Sequence, residues 1–390
     1  MSTSRLHALA AAGTSTWLDF IDRGMLASGD LGRRIRDDAL AGMTSNPTIF
    51  EKALADGTAY DAQVAAAGPG LSSRALFEQL ATNDVREACD QFAGVYRDTN
   101  GVDGYVSIEV SPDLANDTAG TVVEARRLWT TIARPNVMVK VPGTDAGAGA
   151  VRTLIGEGIN VNVTLLFAVE AHDGVIEAYL AGLEDRASAG QAIDRVASVA
   201  SFFVSRVDTE VDRRLDALIS AASDAASHTA ATGALSALKG KAAIANARLA
   251  YALFERRFAG PRWAALTAKG ARVQRPLWAS TGTKNPAYRD VLYIEELVGP
   301  HTVNTMPPAT LDAFRDHGES RDSLRGTAES ARGTIAALAV LGIAMPEVTA
   351  KLLAEGLAAF EKSFVTLLGG LERKTIALGA PRRSALQGAR

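Results

Sequence analysis

The sequence is poor in the residues that most often announce a chemistry. Cys89 is the single cysteine in 390 residues. No internal disulfide can form, and a reducing, cytoplasmic setting is expected. The five histidines, at positions 7, 172, 228, 301 and 317, show no metal-ligand spacing, so no metal is expected. Charge of one sign is lacking too: 41 Lys and Arg against 44 Asp and Glu leave a formal charge of -3. That balance supplies no basic field for a polyanion, which excludes nucleic acid as the expected partner. No apolar run reaches membrane-spanning length, so no membrane is expected either. The segment Arg5 to Ala12 faintly imitates a signal peptide, but it is short, Ala-rich and followed at once by a strand-like stretch, and it reads as a short helix.

What is present is a large apolar fraction, 47% of the residues, in a chain long enough for one large α/β barrel or two ordinary domains. Eight short strand candidates recur with helical stretches between them. They are Thr16 to Phe20, Ala39 to Met43, Gly104 to Val110, Val137 to Val141, Gly158 to Thr164, Val199 to Val204, Arg275 to Ser280 and His301 to Thr305. Asp117 caps a helix whose Val122, Ala125, Trp129 and Ile132 recur at helical spacing. The alternation predicts a single α/β domain over 1–390, a (β/α)8 TIM-type barrel. A helical insert is expected at about 207–260, between strands six and seven. A long closing helix is marked by Leu353, Leu357, Phe360, Phe364 and Leu367.

One amine interrupts the fourth strand. In Val137-Met138-Val139-Lys140-Val141-Pro142 the run is apolar and β-branched, and a buried ammonium must be paired or lose its proton. Lys140 is therefore either a structural ion-pair partner or a reactive amine. Catalytic groups of such barrels gather at the C-terminal strand ends, where Asp19, Asn46, Glu109, Lys140, Asn162, Thr164, Ser201 and Ser280 all fall. An amine among carboxylate, amide and hydroxyl groups suits Schiff-base chemistry. The glycine-rich Gly143 to Gly149 stretch matches neither a dinucleotide fingerprint nor a phosphate-binding P-loop, and it reads as tight strand-to-helix packing.

From about Thr16 to the C-terminal helix the chain resembles the transaldolases of the longer bacterial type. The resemblance is carried by Met43-Thr44-Ser45-Asn46-Pro47-Thr48, by Val106-Ser107-Ile108-Glu109-Val110, by the Lys140 strand and by the stretch Gly158 to Phe167. It implies transfer of a three-carbon dihydroxyacetone unit between sugar phosphates, without metal or organic cofactor, by a monomer or homodimer. By resemblance Lys140 is the Schiff-base lysine, Asp19 the acid/base at carbon–carbon cleavage, and Glu109 the carboxylate that works with Thr164 through a water. Thr44, Asn46, Ser107, Asn162, Ser201 and Phe203 would surround the substrate, with Arg206, Ser280 and Lys284 at the phosphate. The sequence has Ser201-Phe202-Phe203 where Ser-Pro-Phe is common, and Lys284 where many relatives place Arg. Two alternatives stand beside transfer: a class I aldolase that releases free dihydroxyacetone, and a non-catalytic barrel that binds sugar phosphates.

Overall fold

Strands buried on both faces need apolar residues on both faces, and β4 (Val137–Pro142), β5 (Val161–Leu166) and β6 (Ser198–Phe203) are buried at every position. A computed structural model describes residues 4–55, 57–67, 70–222 and 228–378. These three strands join β1 (Thr14–Asp19), β2 (Leu40–Thr44), β3 (Tyr105–Glu109), β7 (Arg275–Ala279) and β8 (Thr302–Met306) in a closed parallel barrel in sequence order. The (β/α)8 architecture expected from the alternation is the one formed. The amphipathic helix Thr118–Ile132 is capped as its sequence requires, with Asp117 Oδ1 accepting the Gly120 N–H at 2.9 Å.

The Gly143 to Gly149 stretch owes its composition to packing. A Cβ on Gly147 would lie 1.9 Å from the Pro142 carbonyl oxygen, and one on Gly143 would lie 2.4 Å from Leu166 Cδ2. Only glycine lets the helix Asp145–Glu157 start so close to the end of β4.

Register sets which side chains meet. Asp19 pairs with Thr44, Thr44 with Ser107, Glu109 with Lys140, and Lys140 with Asn162. Side chains directly opposite on neighbouring strands share a face, so these polar groups form one band at the C-terminal end of the barrel. At the other end the buried pair Arg275–Asp103, 2.9 Å apart, joins β7 to the loop before β3, and Arg275 also donates to Ser15 Oγ at 2.6 Å. That end serves stability.

Between β6 and β7 lie the helices Ser205–Ala222, His228–Ser236, Ala242–Arg257 and Pro261–Thr267. Val207, Val211 and Leu215 of the first, with Ile244, Ala247, Tyr251 and Phe254 of the third, are buried. The closing helix Met345–Ala377 crosses over the barrel mouth and brings Phe360 to the cleft there. Its Phe364 meets Phe77 edge-on with ring centroids 5.7 Å apart. Among the described residues no single helix is long and apolar enough to cross a membrane.

Candidate active site

The C-terminal mouth of the barrel opens into a cleft of ≈ 620 Å³. Asp19, Thr44, Asn46, Lys140, Thr164, Ser201, Phe203, Arg206, Ser280 and Lys284 line it, so most of the residues singled out in the sequence come together. Ser107, Asn162 and Glu109 stand behind that lining. Glu109 instead faces a second cavity of ≈ 510 Å³ on the far side of β3, which shares Asn46 with the cleft.

Lys140 is 4% exposed. Its Nζ donates to the Ser45 carbonyl at 3.0 Å and lies 3.3 Å from Glu109 Oε2. That second approach lacks hydrogen-bond alignment, and Glu109 Oε2 is a buried oxygen with no hydrogen-bond partner among the described residues. Thr164 Oγ1, also at the barrel mouth, is likewise unpartnered. Unsatisfied buried polar atoms cost free energy and mark functional sites. Burial pushes the Glu109 carboxyl above its ordinary range, with Lys140 opposing the shift. Burial also raises Asp19, against the pull of Lys140, the Thr44 hydrogen bond and Lys284. Each carboxyl therefore keeps its proton to a higher pH than a solvated one.

Hydroxyl and amide groups fix these side chains. Thr44 Oγ1 donates to Asp19 Oδ1 at 2.7 Å and lies 2.7 Å from Thr305 Oγ1. Ser201 Oγ donates to Asn162 Oδ1 at 2.7 Å, and Asn162 Nδ2 donates to Ser107 Oγ at 3.0 Å. Asn162 thus ties β3, β5 and β6 together directly beside Lys140. Asn46 Oδ1 accepts the Ile49 N–H at 2.9 Å, which caps the helix Pro47–Ala55 and leaves the Asn46 amide nitrogen as its free donor toward the cleft.

The rim holds two cations that form no ion pair among the described residues. Arg206, half-buried, lies over the Phe203 ring at 5.4 Å, and among the described residues it has no carboxylate in ion-pair range. Burial lowers its pKa, and Glu355 of the closing helix opposes this through its field. Lys284 is exposed and equally unpaired among the described residues. Ser280 adopts φ 56°, a left-handed conformation that costs a non-glycine residue about 1 kcal/mol or more, where the chain leaves β7.

Four contributors carried no sequence signal as site residues. The Ser45 carbonyl is a backbone group. Thr305 reads as one more strand threonine, Phe360 as one tooth of a helical stripe, and Gly282 as part of a turn, yet all three line the cleft.

Residues 16–371 match the family described as transaldolase/fructose-6-phosphate aldolase. The chain belongs to that family. Curated relatives named transaldolase include one from Mycolicibacterium smegmatis, 51% identical over 93% of this chain and 95% of the relative. A transaldolase of Thermobifida fusca is 49% identical over 94% of this chain and 96% of its own, and one of Trichodesmium erythraeum is 45% identical over 96% and 98%. For a transaldolase-family barrel the mouth has an apt composition: a buried amine and the Asp19 carboxyl in the cleft, the Glu109 carboxyl behind the amine, a band of neutral donors and two cations at the rim.

Proposed function

We propose that this chain is a transaldolase that moves a dihydroxyacetone unit between sugar phosphates through a Schiff base on Lys140. The observation that carries the reading is the Lys140 amine, buried at the cleft floor and held by the Ser45 carbonyl, with the Glu109 carboxylate 3.3 Å away and out of hydrogen-bond alignment. Family membership and the shared name of the relatives support transfer chemistry.

Lys140 attacks the C2 carbonyl of fructose 6-phosphate or sedoheptulose 7-phosphate to give a carbinolamine. Glu109 supplies the proton with which its hydroxyl leaves as water, and a protonated imine remains. The raised pKa of Glu109 suits a group that must hold a proton before it gives it up. Asp19 then takes the proton of the C4 hydroxyl, the C3–C4 bond breaks, and its electron pair moves into the iminium to leave an enamine. The aldose phosphate departs. An acceptor aldose reverses the sequence: its carbonyl is attacked by enamine C3, Asp19 returns the proton, and water releases the new ketose from Lys140. Thr164, which lines the cleft with an unpartnered hydroxyl, and the Ser107–Asn162–Ser201 chain support this by orienting water and substrate hydroxyls. Arg206 and Lys284 take the phosphate.

Sodium borohydride with fructose 6-phosphate tests the reading. Intact mass and peptide mapping are expected to show one reduced three-carbon adduct, on Lys140, and none in Lys140→Met. Adduct on another lysine would overturn it. Free dihydroxyacetone in excess over transfer product would replace transferase by aldolase.

A further inference from the structure

Two carboxylates one helical turn apart make a contact pattern that the chemistry above does not use. Asp208 and Asp212 lie on the helix Ser205–Ala222, which carries Arg206 in its first turn. Both are buried. Asp208 accepts the Ala243 N–H at Oδ1, 2.8 Å, and the Tyr293 hydroxyl at Oδ2, 2.8 Å. Asp212 repeats the arrangement, with the Gly240 N–H at Oδ1, 3.0 Å, and the Tyr288 hydroxyl at Oδ2, 2.5 Å. Each carboxylate thus joins the start of the helix Ala242–Arg257 to a tyrosine of the segment between β7 and β8.

That segment carries Lys284. Its near end is tied to the same helix, because Ser205 N–H donates to the Ser280 carbonyl at 3.1 Å and the two serine hydroxyls lie 3.0 Å apart. Lys284 therefore sits on a loop fastened at both ends, by Ser280 and by Tyr288, to the helix that presents Arg206. Gly240, with φ 70°, lies so close to the Tyr288 ring that an added Cβ would come 2.8 Å from it, so the ring packs directly against the backbone at Gly240. Two cations grip one phosphate well only at a fixed separation, and a displacement of about 1 Å is costly in a binding site.

We infer that Tyr288 and Tyr293, held by Asp212 and Asp208, are positioning residues for phosphate recognition: they set the place of Lys284 relative to Arg206 and so favour phosphorylated over unphosphorylated sugars. The inference rests on the proposed role of Arg206 and Lys284 at the phosphate. A third cavity, of ≈ 880 Å³, opens beside Tyr288, so its hydroxyl contact is made at the edge of the protein and can be removed without unpacking the core.

The test uses Tyr288→Phe, Tyr293→Phe and the double variant in the full chain, since Phe keeps the ring and deletes the hydroxyl. At saturating acceptor, the KM for fructose 6-phosphate is expected to rise roughly 3- to 10-fold in the double variant with kcat within about twofold, the loss of part of one charge-assisted contact. Borohydride trapping of Lys140 by dihydroxyacetone, which has no phosphate, is expected to keep its rate. A lower melting temperature with unchanged KM would assign the tyrosines to stability alone and overturn the inference. If the double variant does not fold, the half-buried Tyr288→Phe decides by the same criterion. Arg206→Ala and Lys284→Ala run in parallel. If they raise KM and the tyrosine variants do not, this inference alone falls; if they leave KM unchanged, the phosphate reading falls and takes this inference with it.

Discussion

Glu109 Oε2 stands 3.3 Å from Lys140 Nζ without hydrogen-bond alignment, while the same nitrogen donates to the Ser45 carbonyl at 3.0 Å. A fully hydrogen-bonded buried pair would lock the proton on the amine. The offset keeps the carboxylate near enough to stabilise charge and leaves an oxygen unengaged for proton transfer. Register enforces this: Glu109 and Lys140 are directly paired on β3 and β4, so neither can move along its strand without breaking the sheet.

Glu109→Gln keeps the shape and removes the titrating group. Positioned proton transfer is worth roughly 100- to 10,000-fold, so turnover is expected to drop by that factor with little change in substrate binding. The loss belongs to imine formation and release. Rapid-quench trapping with borohydride is expected to show slow adduct growth, and growth at the wild-type rate would remove Glu109 from this step.

Asp19→Asn separates function from stability. Thr44 donates to Asp19 Oδ1, and an asparagine carbonyl can accept the same bond, so the variant loses charge and keeps contact. Turnover is expected to fall by roughly the same 100- to 10,000-fold, with uncleaved ketose imine accumulating. Burial raises the Asp19 pKa, so the folded chain binds that proton more tightly than the unfolded one. The stability this gives is complete below the ordinary aspartate pKa and is lost as pH rises through the folded value. Above the ordinary aspartate pKa the unfolded chain gains by ionising while the folded chain resists it, so the acid costs stability relative to a neutral amide, and Asp19→Asn is expected to melt no lower than the wild type. A clearly lower melting temperature would show that the carboxylate holds the fold together.

The barrel was legible because its strands are apolar on both faces and its helices carry a one-sided stripe. Boundaries were less so. The fifth strand, expected from Gly158 to Thr164, runs Val161–Leu166. Gly158 ends the preceding helix at φ 84°, and Asn160 spends its side chain on the carbonyls of Pro135 and Val137 and on the Ala197 N–H. Between Val163 and Leu166 the pairing with β6 shifts register, and Leu165 there has φ 59°; a leucine gives no warning of a left-handed residue. The helical stretch before β3 divides at Phe92 into Ser73–Gln91 and Ala93–Asp98. Within the site, Lys140, Glu109 and Asp19 stood out because charge is rare at the ends of buried strands. The Ser45 carbonyl and Phe360 became visible only once distant segments were brought together.

His172 offers a pH test outside the cleft. It is fully buried on the helix Val169–Ser188, its ring 5.9 Å from that of Phe202, and neither ring nitrogen has a hydrogen-bond partner among the described residues. Burial lowers its pKa to about 4. The unfolded chain therefore binds a proton that the folded chain refuses, and stability is lost as pH falls through the unfolded value near 6.5 toward 4. Between pH 7.5 and pH 5 the loss from this group is on the order of 2 kcal/mol. His172→Leu, an apolar residue of similar size, is expected to be as stable as the wild type at pH 7.5 and to lose less stability by pH 5. Parallel urea curves that fall equally for both proteins would show that His172 finds a partner on protonation.

The two rim cations are expected to contribute unequally. Arg206 is half-buried and carries an uncompensated desolvation cost, visible in its lowered pKa, so a phosphate would supply the counter-charge that its surroundings lack. Lys284 is exposed, and solvent screens much of its field. Charge-assisted hydrogen bonds contribute about 1.5–3 kcal/mol, so Arg206→Ala is expected to raise the KM for fructose 6-phosphate on the order of 10- to 100-fold, and Lys284→Ala by less. Arg206→Lys keeps the charge and loses the planar fork, and it is expected to fall between Arg206→Ala and the wild type. Turnover of unphosphorylated fructose is expected to be nearly indifferent to all three. Equal losses for fructose and its phosphate would mean that Arg206, stacked on Phe203, supports the cleft wall and does not read the phosphate.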